Sequence, residues 1–432
     1  MKLLFILPYD NTYRYKAAFV PSLSYQPLTL SVLASLVPEE LDAEIIIVDE
    51  GVQKPDYSRE RFDLVCISIV TSSANRGYEL ARFFRERGSY VAIGGHHATL
   101  LPEEALLHAG TVLTGDAGQT FPLFCMDYLH GEPKRRYDAA GFCSGRLPLP
   151  RRDLMPRKGY LRQPTVIADY GCPNHCKYCV IHSFWGSEAR RPVGEVLDEI
   201  RSLQAKEILL LDPSPFADKQ YAYELLEGLA ALRIRWAGLC RTETAEDPQL
   251  LSLLQKSGCI GMLMGFESFS QDDLDSMNKY RNKVDSYARL VDNLHRHGMA
   301  CLGTFMLGMD GDTPETLAEL PVLIAQVKID VPRFAILTPW PNTPLFRELE
   351  ADGRILHRDW SRYDSVHCVF QPRHMTAPEL ERLFLQVWRD CYTTRRIRER
   401  LWHTPQRRLT ALITNIGFHI YAKRVGDLLS KS

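Results

Sequence analysis

Short apolar runs alternate with amphipathic segments along the first 135 residues of the chain. Runs rich in Val, Ile and Leu predict strands, and 74–88 has apolar residues at helical spacing before a terminal Gly. Continuous apolar strands separated by helices are typical of a doubly wound parallel sheet. We therefore predict an α/β domain at 1–135, with strands at 2–7, 44–49, 64–70, 90–95 and 111–115.

A second series of strands and helices runs over residues 164–350. Six units in succession predict a partial (β/α)6 barrel of the TIM type, whose site lies at the carboxyl ends of its strands. The predicted strands are 165–169, 207–212, 234–239, 260–266, 300–308 and 333–338, and the clearest helices are 192–204, 220–232 and 284–298. Residues 136–163 are dense in Pro, Gly and Arg and predict a linker, whereas 351–432 predict a mainly helical C-terminal domain.

Charge and hydropathy limit the partners of the chain. The 432 residues carry a net charge of −1, which implies no general attraction to nucleic acid. No apolar run is long enough to span a membrane, and the N-terminal apolar run predicts a strand rather than a signal peptide, so we expect a cytoplasmic protein. Residues 395–432 hold nine Lys or Arg against two acids. This tail predicts a solvated helical cap or a basic amphipathic surface that makes peripheral membrane contact.

The eleven cysteines fall into two groups. Eight are isolated and predict small buried side chains: Cys66, Cys125, Cys143, Cys240, Cys259, Cys301, Cys368 and Cys391. The other three, Cys172, Cys176 and Cys179, have C-x3-C-x2-C spacing directly after the first barrel strand. A structural zinc would need a fourth ligand such as His175 or His182, but zinc sites of this kind usually pair two distant knuckles. The other interpretation is an iron–sulfur cluster with one iron that has no protein ligand.

The triplet, with Tyr178 before its last cysteine, resembles the radical S-adenosylmethionine superfamily over about residues 160–370. The resemblance implies that Cys172, Cys176 and Cys179 hold a [4Fe-4S] cluster whose open iron binds the amino and carboxylate groups of S-adenosylmethionine. Matching stretches are "LLDPSPF", "CRTET", "GFESFSQDDLDSMNK" and "GTFMLGMDGDT". They imply S-adenosylmethionine contacts from Tyr178, Asp212, Arg241, Glu267 and Ser268.

The N-terminal domain resembles the Rossmann-like domain of the cobalamin-binding radical S-adenosylmethionine enzymes. The match lies in "SIVTSSANRGYELARFFRERG", "IGGHHATLLPEEAL" and "TVLTGDAG". It implies cobalamin contacts from Thr71, Ser72, Ser73, Gly94, Gly95, His97, Thr99 and Gly115. The Asp-x-His-x-x-Gly motif, whose His binds cobalt in many cobalamin proteins, is replaced by "VDEGVQ". "GDAG" is shorter than the acidic pattern of relatives, which weakens a binding role for Asp116.

The resemblance implies an enzyme that cleaves S-adenosylmethionine to a 5′-deoxyadenosyl radical and methylates an unactivated sp3 carbon through methylcobalamin. Ring contraction, cyclisation or oxidation without methyl transfer is an alternative outcome. Two further alternatives are a first domain without cobalamin and a non-enzymatic redox sensor. We expect a small-molecule substrate, lipid-like or tetrapyrrole-like, and an external electron donor of the flavodoxin or ferredoxin type. No catalytic acid, base or nucleophile is assigned.

Overall fold

The computed structural model of the protein describes residues 1–10, 25–139, 148–185, 189–404 and 408–429. The first sheet has six strands, all parallel, in the order β2-β1-β3-β4-β5-β6. Because the strand order reverses beside β1, a crevice is expected at the carboxyl ends of β1 and β3. The strands are β1 (Lys2–Leu7), β2 (Glu44–Asp49), β3 (Leu64–Ser68), β4 (Tyr90–Gly94), β5 (Thr111–Thr114) and β6 (Arg136–Asp138).

Helices cover both faces of this sheet, as its continuous apolar strands require. All five residues of β3 are buried, and separate apolar clusters lie on the two faces. The helix after β3 buries Tyr78, Ala81 and Phe84 along one side, which is why its sequence is amphipathic. The helices are α1 (Thr29–Ser35), α2 (Ala74–Glu86), α3 (His96–Leu100), α4 (Pro102–Leu106) and α5 (Ala117–Leu129).

The second sheet is also parallel, and its strands follow sequence order from β7 to β14. A two-stranded antiparallel hairpin, β8 with β9, interrupts it after the first strand. The partial barrel consists of the six strands β7 and β10 to β14, and their carboxyl ends meet at one edge. The strands are β7 (Thr165–Val166), β8 (Asp169–Tyr170), β9 (Ala189–Arg190), β10 (Glu207–Leu210), β11 (Arg235–Cys240), β12 (Cys259–Glu267), β13 (Ala300–Leu307) and β14 (Val331–Ile336).

The barrel helices begin where short polar side chains accept backbone N–H groups. Asp218, Asp247 and Thr313 each cap a helix in this way, and Pro follows two of these three residues directly. The helices are α6 (Ile181–Trp185), α7 (Val193–Ser202), α8 (Lys219–Leu232), α9 (Pro248–Lys256), α10 (Gln271–Ser276), α11 (Tyr287–Arg296), α12 (Pro314–Val327) and α13 (Pro344–Ala351).

The C-terminal region is mainly helical and packs on the barrel. Its helices are α14 (Ala377–Cys391), α15 (Thr394–His403), α16 (Arg408–Arg424) and α17 (Gly426–Leu429). Helix α14 contacts α12 and β14, and α16 packs on α14. The buried Arg400 guanidinium joins this region by donating to Asn415 Oδ1 and to the Cys391 carbonyl.

Residues between α13 and α14 connect the barrel to the first domain. Trp360 and Tyr363 belong to an apolar cluster of the first sheet. The Glu104 carboxylate accepts hydrogen bonds from Trp360 Nε1 at 3.0 Å and from Tyr78 Oη at 2.9 Å, and lies 3.1 Å from His97 Nε2. The described part of the predicted linker is also packed, because Arg152 donates to Glu199 of α7.

The predicted strands and helices agree closely with the structure. Every barrel strand begins within two residues of its predicted start, whereas β6 and the β8–β9 hairpin were not predicted. Strand β6 lies just beyond the predicted boundary at residue 135, and the boundaries at 135, 163 and 350 stay predictions. Seven of the eight isolated cysteines are buried thiols, and Cys143 lies outside the described residues. Among the described helices, none is long and apolar enough to cross a membrane.

Candidate functional site

The three cysteines lie on one loop, residues 171–180, which we name the cysteine loop. It leaves β8 and returns through α6 to β9, so the short hairpin closes its base. All three thiols are half-buried, and the Cys179 N–H donates to the Cys176 carbonyl at 3.0 Å. Burial raises the pKa of Cys176 and raises that of Cys179 to about 12. Metal binding to these thiols therefore releases protons.

Asp212, directly beyond β10, holds the base of the cysteine loop. One carboxylate oxygen accepts the backbone N–H groups of Ala168 and Asp169, each at 2.5 Å, whereas the other oxygen is buried without a hydrogen bond. Burial raises the pKa of Asp212 to about 7, although both N–H groups oppose this shift. From α8, Tyr221 Oη donates to the carbonyls of Ala168 and Arg191 on the two sides of the loop.

The segment after α10 supports the cysteine loop from another side. The Met277 carbonyl accepts the Lys177 N–H at 3.1 Å, and Asn278 donates to the His175 carbonyl at 3.3 Å. Next in sequence, the Lys279 ammonium lies 6.0 Å from the centre of the Tyr178 ring. This segment thus fixes the backbone and one aromatic ring between the first and the last cysteine.

Glu267 closes β12 in an unusual backbone conformation. Its φ is +67°, and the pairing of β12 with β13 shifts register between Gly265 and Glu267. The bulge directs the carboxylate to Lys279 Nζ at 2.5 Å. A Cβ on Gly265 would lie 2.1 Å from Glu267 Oε1 and 2.7 Å from Lys279 Nζ, so a larger residue at 265 would displace the two charged groups from this arrangement.

The predicted S-adenosylmethionine contacts lie around one edge of the barrel. Asp212, Arg241 and Glu267 follow or end the neighbouring strands β10, β11 and β12, and Tyr178 lies on the cysteine loop. The Arg241 side chain is 18% exposed, 3.8 Å from Glu243, whereas Asp212 is fully buried beneath the loop base. Ser268 is almost buried, and its Oγ accepts the Ser270 N–H.

The predicted cobalamin contacts gather at the carboxyl edge of the first sheet but divide by exposure. The buried members already have partners within the protein: Thr71 with His97, Ser72 with Asp10, and Ser73 with the Val70 backbone. The half-buried members are Gly94 and Gly95 at the end of β4, Gly115 after the adjacent strand β5, and Thr99 in α3. The half-buried backbone therefore forms the accessible part of this edge.

Thr99 and Gly95 shape that accessible edge. Thr99 Oγ1 donates to the Gly95 carbonyl and accepts the Gly115 N–H, both at 3.0 Å, so it joins two strand ends. Gly95 has φ +97°, and a Cβ there would lie 2.6 Å from the Ile69 carbonyl oxygen. Asp116, whose binding role the sequence left weak, accepts the Gly118 N–H and caps α5.

Two histidines at this edge differ in their surroundings. His97 is fully buried, with one ring nitrogen 3.3 Å from Thr71 Oγ1 and the other 3.1 Å from Glu104. A ligand contact from His97 would break one of these interactions, so the geometry favours a structural role. His96 packs its ring 4.2 Å from Phe184, in the helix that follows the cysteine loop. Burial lowers the pKa of His96 to about 4, which keeps this ring neutral at pH 7.

The sequence analysis missed Lys279 and His96. Both lie inside stretches that carried the resemblance, yet neither was singled out. Lys279 pairs with a residue twelve positions away, and His96 contacts a helix of the other domain. A lysine in an otherwise acidic stretch and the paired histidines of "GGHH" were the only local signals.

The donor set fits a cluster that leaves one iron to another ligand. Three thiols share one loop with the Lys279 cation nearby, and the rings of His175 and His182 meet edge to face, with their centres 4.0 Å apart. Within the described ranges, no three His, Cys, Asp or Glu side chains form a group that could hold a single metal ion. Soft thiolate ligands select iron–sulfur clusters among the common metal groups.

Similar proteins share this architecture. The sequence signature of the Radical SAM superfamily matches residues 166–321. The chain is 31% identical to bacteriochlorophyllide d C-12(1)-methyltransferase of Chlorobaculum tepidum, over 88% of this chain and 85% of that one. It is 28% identical to the C-8(2)-methyltransferase of that organism, over 90% of each. Hopanoid C-2 methylase of Rhodopseudomonas palustris is 24% identical over 87% of this chain and 71% of its own.

Two solved structures have the same fold. The radical enzyme OxsB, with aqua-cobalamin and S-adenosylmethionine bound, superimposes with a TM-score of 0.70 at 14% identity, over 99% of this chain and 72% of that one. The methyltransferase TsrM from Kitasatospora setae, with cobalamin and a [4Fe-4S] cluster bound, gives 0.64 at 17% identity, over 81% and 78%. These likenesses confirm the predicted fold. The chain belongs to the radical S-adenosylmethionine superfamily, and it shares its overall fold with these two cobalamin-binding enzymes.

Proposed function

We propose that the protein is a radical S-adenosylmethionine C-methyltransferase that methylates an sp3 carbon on the periphery of a tetrapyrrole. The observation that carries this proposal is the 31% identity, over most of both chains, to a bacteriochlorophyllide d methyltransferase. The second bacteriochlorophyllide relative supports the same substrate class, whereas the hopanoid methylase is more distant at 24% identity.

Cys172, Cys176 and Cys179 would hold a [4Fe-4S] cluster, and the accessible edge after β4 and β5 would hold cobalamin. When bound, these groups supply the electron that cleaves S-adenosylmethionine and the methyl group that is transferred. The chain's own residues fix geometry and exclude water. Asp212 and Tyr221 hold the base of the cysteine loop, and the packing of His96 on Phe184 joins the loop's following helix to the cobalamin edge.

Among the predicted S-adenosylmethionine contacts, Arg241 has the side chain best suited to a carboxylate. Its guanidinium is partly exposed at the barrel edge, and the ion pair that it makes among the described residues is a long one, with Glu243 at 3.8 Å. Tyr178, Glu267 and Ser268 would line the same space. Asp212 would act by positioning the loop, because its carboxylate is buried and bound to backbone N–H groups.

The proposal is tested with protein reconstituted anaerobically with iron, sulfide and cobalamin. A magnesium or zinc chlorin with alkyl substituents, trideuteromethyl S-adenosylmethionine and a one-electron reductant are added, and products are analysed by mass spectrometry. We expect 5′-deoxyadenosine and a chlorin that has gained one labelled methyl group. The Cys176→Ala variant is the control and should form neither product. 5′-Deoxyadenosine together with an unlabelled, altered chlorin would show cyclisation or oxidation instead of methylation. A parallel assay contains a hopanoid in place of the chlorin. Label in the hopanoid but not in the chlorin would refute the tetrapyrrole substrate class.

We also propose that the C-terminal hairpin of α15 and α16 contacts an anionic lipid surface. Trp402 is 79% exposed, and Ile413 and Ile416 are also exposed. Arg398 and Lys423 add positive charge on exposed positions of the same helices. Exposed apolar side chains beside cations suit the interface of an anionic bilayer. Vesicles containing phosphatidylglycerol should sediment the protein, and Trp402→Glu should weaken this binding. Equal sedimentation of both proteins would refute the contact.

A further inference from the structure

Lys279 is a half-buried cation that the predicted cofactor contacts do not explain. Its side chain is 16% exposed, and that of its partner Glu267 is 11% exposed. Removing an ammonium group from water is unfavourable unless a charge partner compensates for it. The chain nevertheless builds a specific place for this group, which suggests that the charge has a use there.

Two features of the backbone fix the ammonium group. The left-handed conformation of Glu267 directs its carboxylate to Nζ, and the missing side chain of Gly265 leaves room for both groups. Asn278, immediately before Lys279, also has a positive φ of +58° and ends the turn after α10. The ion pair thus depends on the local backbone, which brings the two charges together.

The same ammonium faces the cysteine loop. It lies 6.0 Å from the centre of the ring of Tyr178, which stands between Cys176 and Cys179 in the sequence. The two residues before Lys279 form hydrogen bonds with the backbone of the loop. The ion pair with the Glu267 carboxylate, at 2.5 Å, favours the charged form of Lys279. The structure therefore places a cation against the cysteine loop.

We propose that Lys279 raises the reduction potential of the cluster held by the cysteine loop. Adding one electron, taken from an external one-electron donor, makes the cluster and its thiolates more negative by one unit. A fixed cation in a poorly solvated site stabilises the reduced form more than the oxidised form. The Glu267 carboxylate opposes this effect, because its negative charge disfavours the reduced cluster. The reduction potential therefore lies between the values expected for the lysine alone and for the glutamate alone. This inference rests on the proposed function only in requiring that the loop binds a cluster.

The test is a redox titration of the reconstituted holoprotein without S-adenosylmethionine, followed by the electron paramagnetic resonance of the reduced cluster. Lys279→Met should shift the redox equilibrium toward the oxidised form at least tenfold, which is about 59 mV for one electron. Lys283→Met is the matched control. It makes the same change four residues later on an exposed side chain, where solvent screens the charge, and should leave the potential near that of the unmodified protein.

Glu267→Gln provides the opposite change in the same place. Removing the carboxylate leaves the Lys279 charge uncompensated, so the potential should rise. If Lys279→Met fails to take up iron, the Glu267→Gln potential decides the question alone. An unchanged or lower potential in Glu267→Gln, or a Lys279→Met potential equal to that of Lys283→Met, overturns the inference. An unmodified protein that assembles no cluster would instead overturn the proposed function.

Discussion

Asp212 makes the stability of the barrel depend on pH in a direction that can be measured. In the folded protein its carboxyl group is fully buried beneath the cysteine loop, and burial raises its pKa to about 7. In an unfolded chain the pKa of Asp is about 3.9. The unfolded state therefore loses this proton first as pH rises. Folding stability falls as pH rises from about 4 and levels off above about 7.

The size of the effect follows from the two pKa values. One unit of pKa difference corresponds to about 1.4 kcal/mol, and the difference is about three units, so the full loss is about 4 kcal/mol. Between pH 5 and pH 8 the expected loss is about 2.5 kcal/mol, because the unfolded group is already largely ionised at pH 5. The Asp212→Asn variant cannot ionise. Its amide oxygen can still accept the N–H groups of Ala168 and Asp169, so any constant loss is the same at both pH values.

The assay compares the two proteins, without cluster, by urea unfolding at pH 5 and pH 8. Other ionisable groups titrate alike in both proteins. The pH dependence of the difference between their free energies of unfolding therefore reports on Asp212 alone. We expect the free energy of unfolding of the variant, relative to that of the unmodified protein, to rise by about 2.5 kcal/mol from pH 5 to pH 8. A difference independent of pH would refute a raised pKa. A change of opposite sign would mean that Asp212 is ionised and stabilised by its two N–H donors.

Three further substitutions test other parts of the site. Gly95→Ala should weaken cobalamin retention on gel filtration and lower the urea midpoint, because a Cβ meets a carbonyl oxygen at 2.6 Å in a left-handed conformation; Gly131→Ala, with a positive φ but open space, is its control. Trp360→Ala should lower the free energy of unfolding by about 3–5 kcal/mol, because it empties a buried site and removes the hydrogen bond to Glu104. We expect this loss to appear as faster hydrogen exchange in α4 but not in β12. Tyr221→Phe removes two hydrogen bonds at the loop base and should lower iron retention, with an expected loss of about 1–3 kcal/mol.

The strands and the cysteine ligand set were predictable because their signals are local. A run such as 44–49 is apolar and rich in Ile and Val within a few residues, and its short length favours a strand over a helix. The cysteine spacing is equally local. Strand β6 was missed because Arg136 to Asp138 carry no apolar run, and only pairing with β5 makes them a strand. The β8–β9 hairpin was missed for the same reason, since eighteen residues lie between its paired positions Tyr170 and Ala189.

The chemical environment of the site was less predictable because it depends on distant partners. Asp212 was predicted to contact S-adenosylmethionine from its place after a strand, but its partners are backbone groups 43 and 44 residues earlier in the chain. His97 was predicted to contact cobalamin from its place after Gly95. Its burial depends on Glu104, which is in turn held by Trp360, 256 residues away. Sequence position indicates which edge such a residue occupies, but not whether its polar atoms are already used.

These distant partners also explain how two separate sheets can serve one reaction. The carboxyl edges of the sheets carry different predicted contacts, so their alignment depends on the side chains that join them. His96 packs on Phe184 near the cysteine loop, and Trp360 binds Glu104 beside the buried His97. Both bridges start from residues 96–104, and this segment also contains Thr99 of the accessible edge of the first sheet. A change in this short segment would therefore alter the alignment of the two sheets as well as the edge itself, and the Trp360→Ala exchange measurement tests the first-domain side of that bridge.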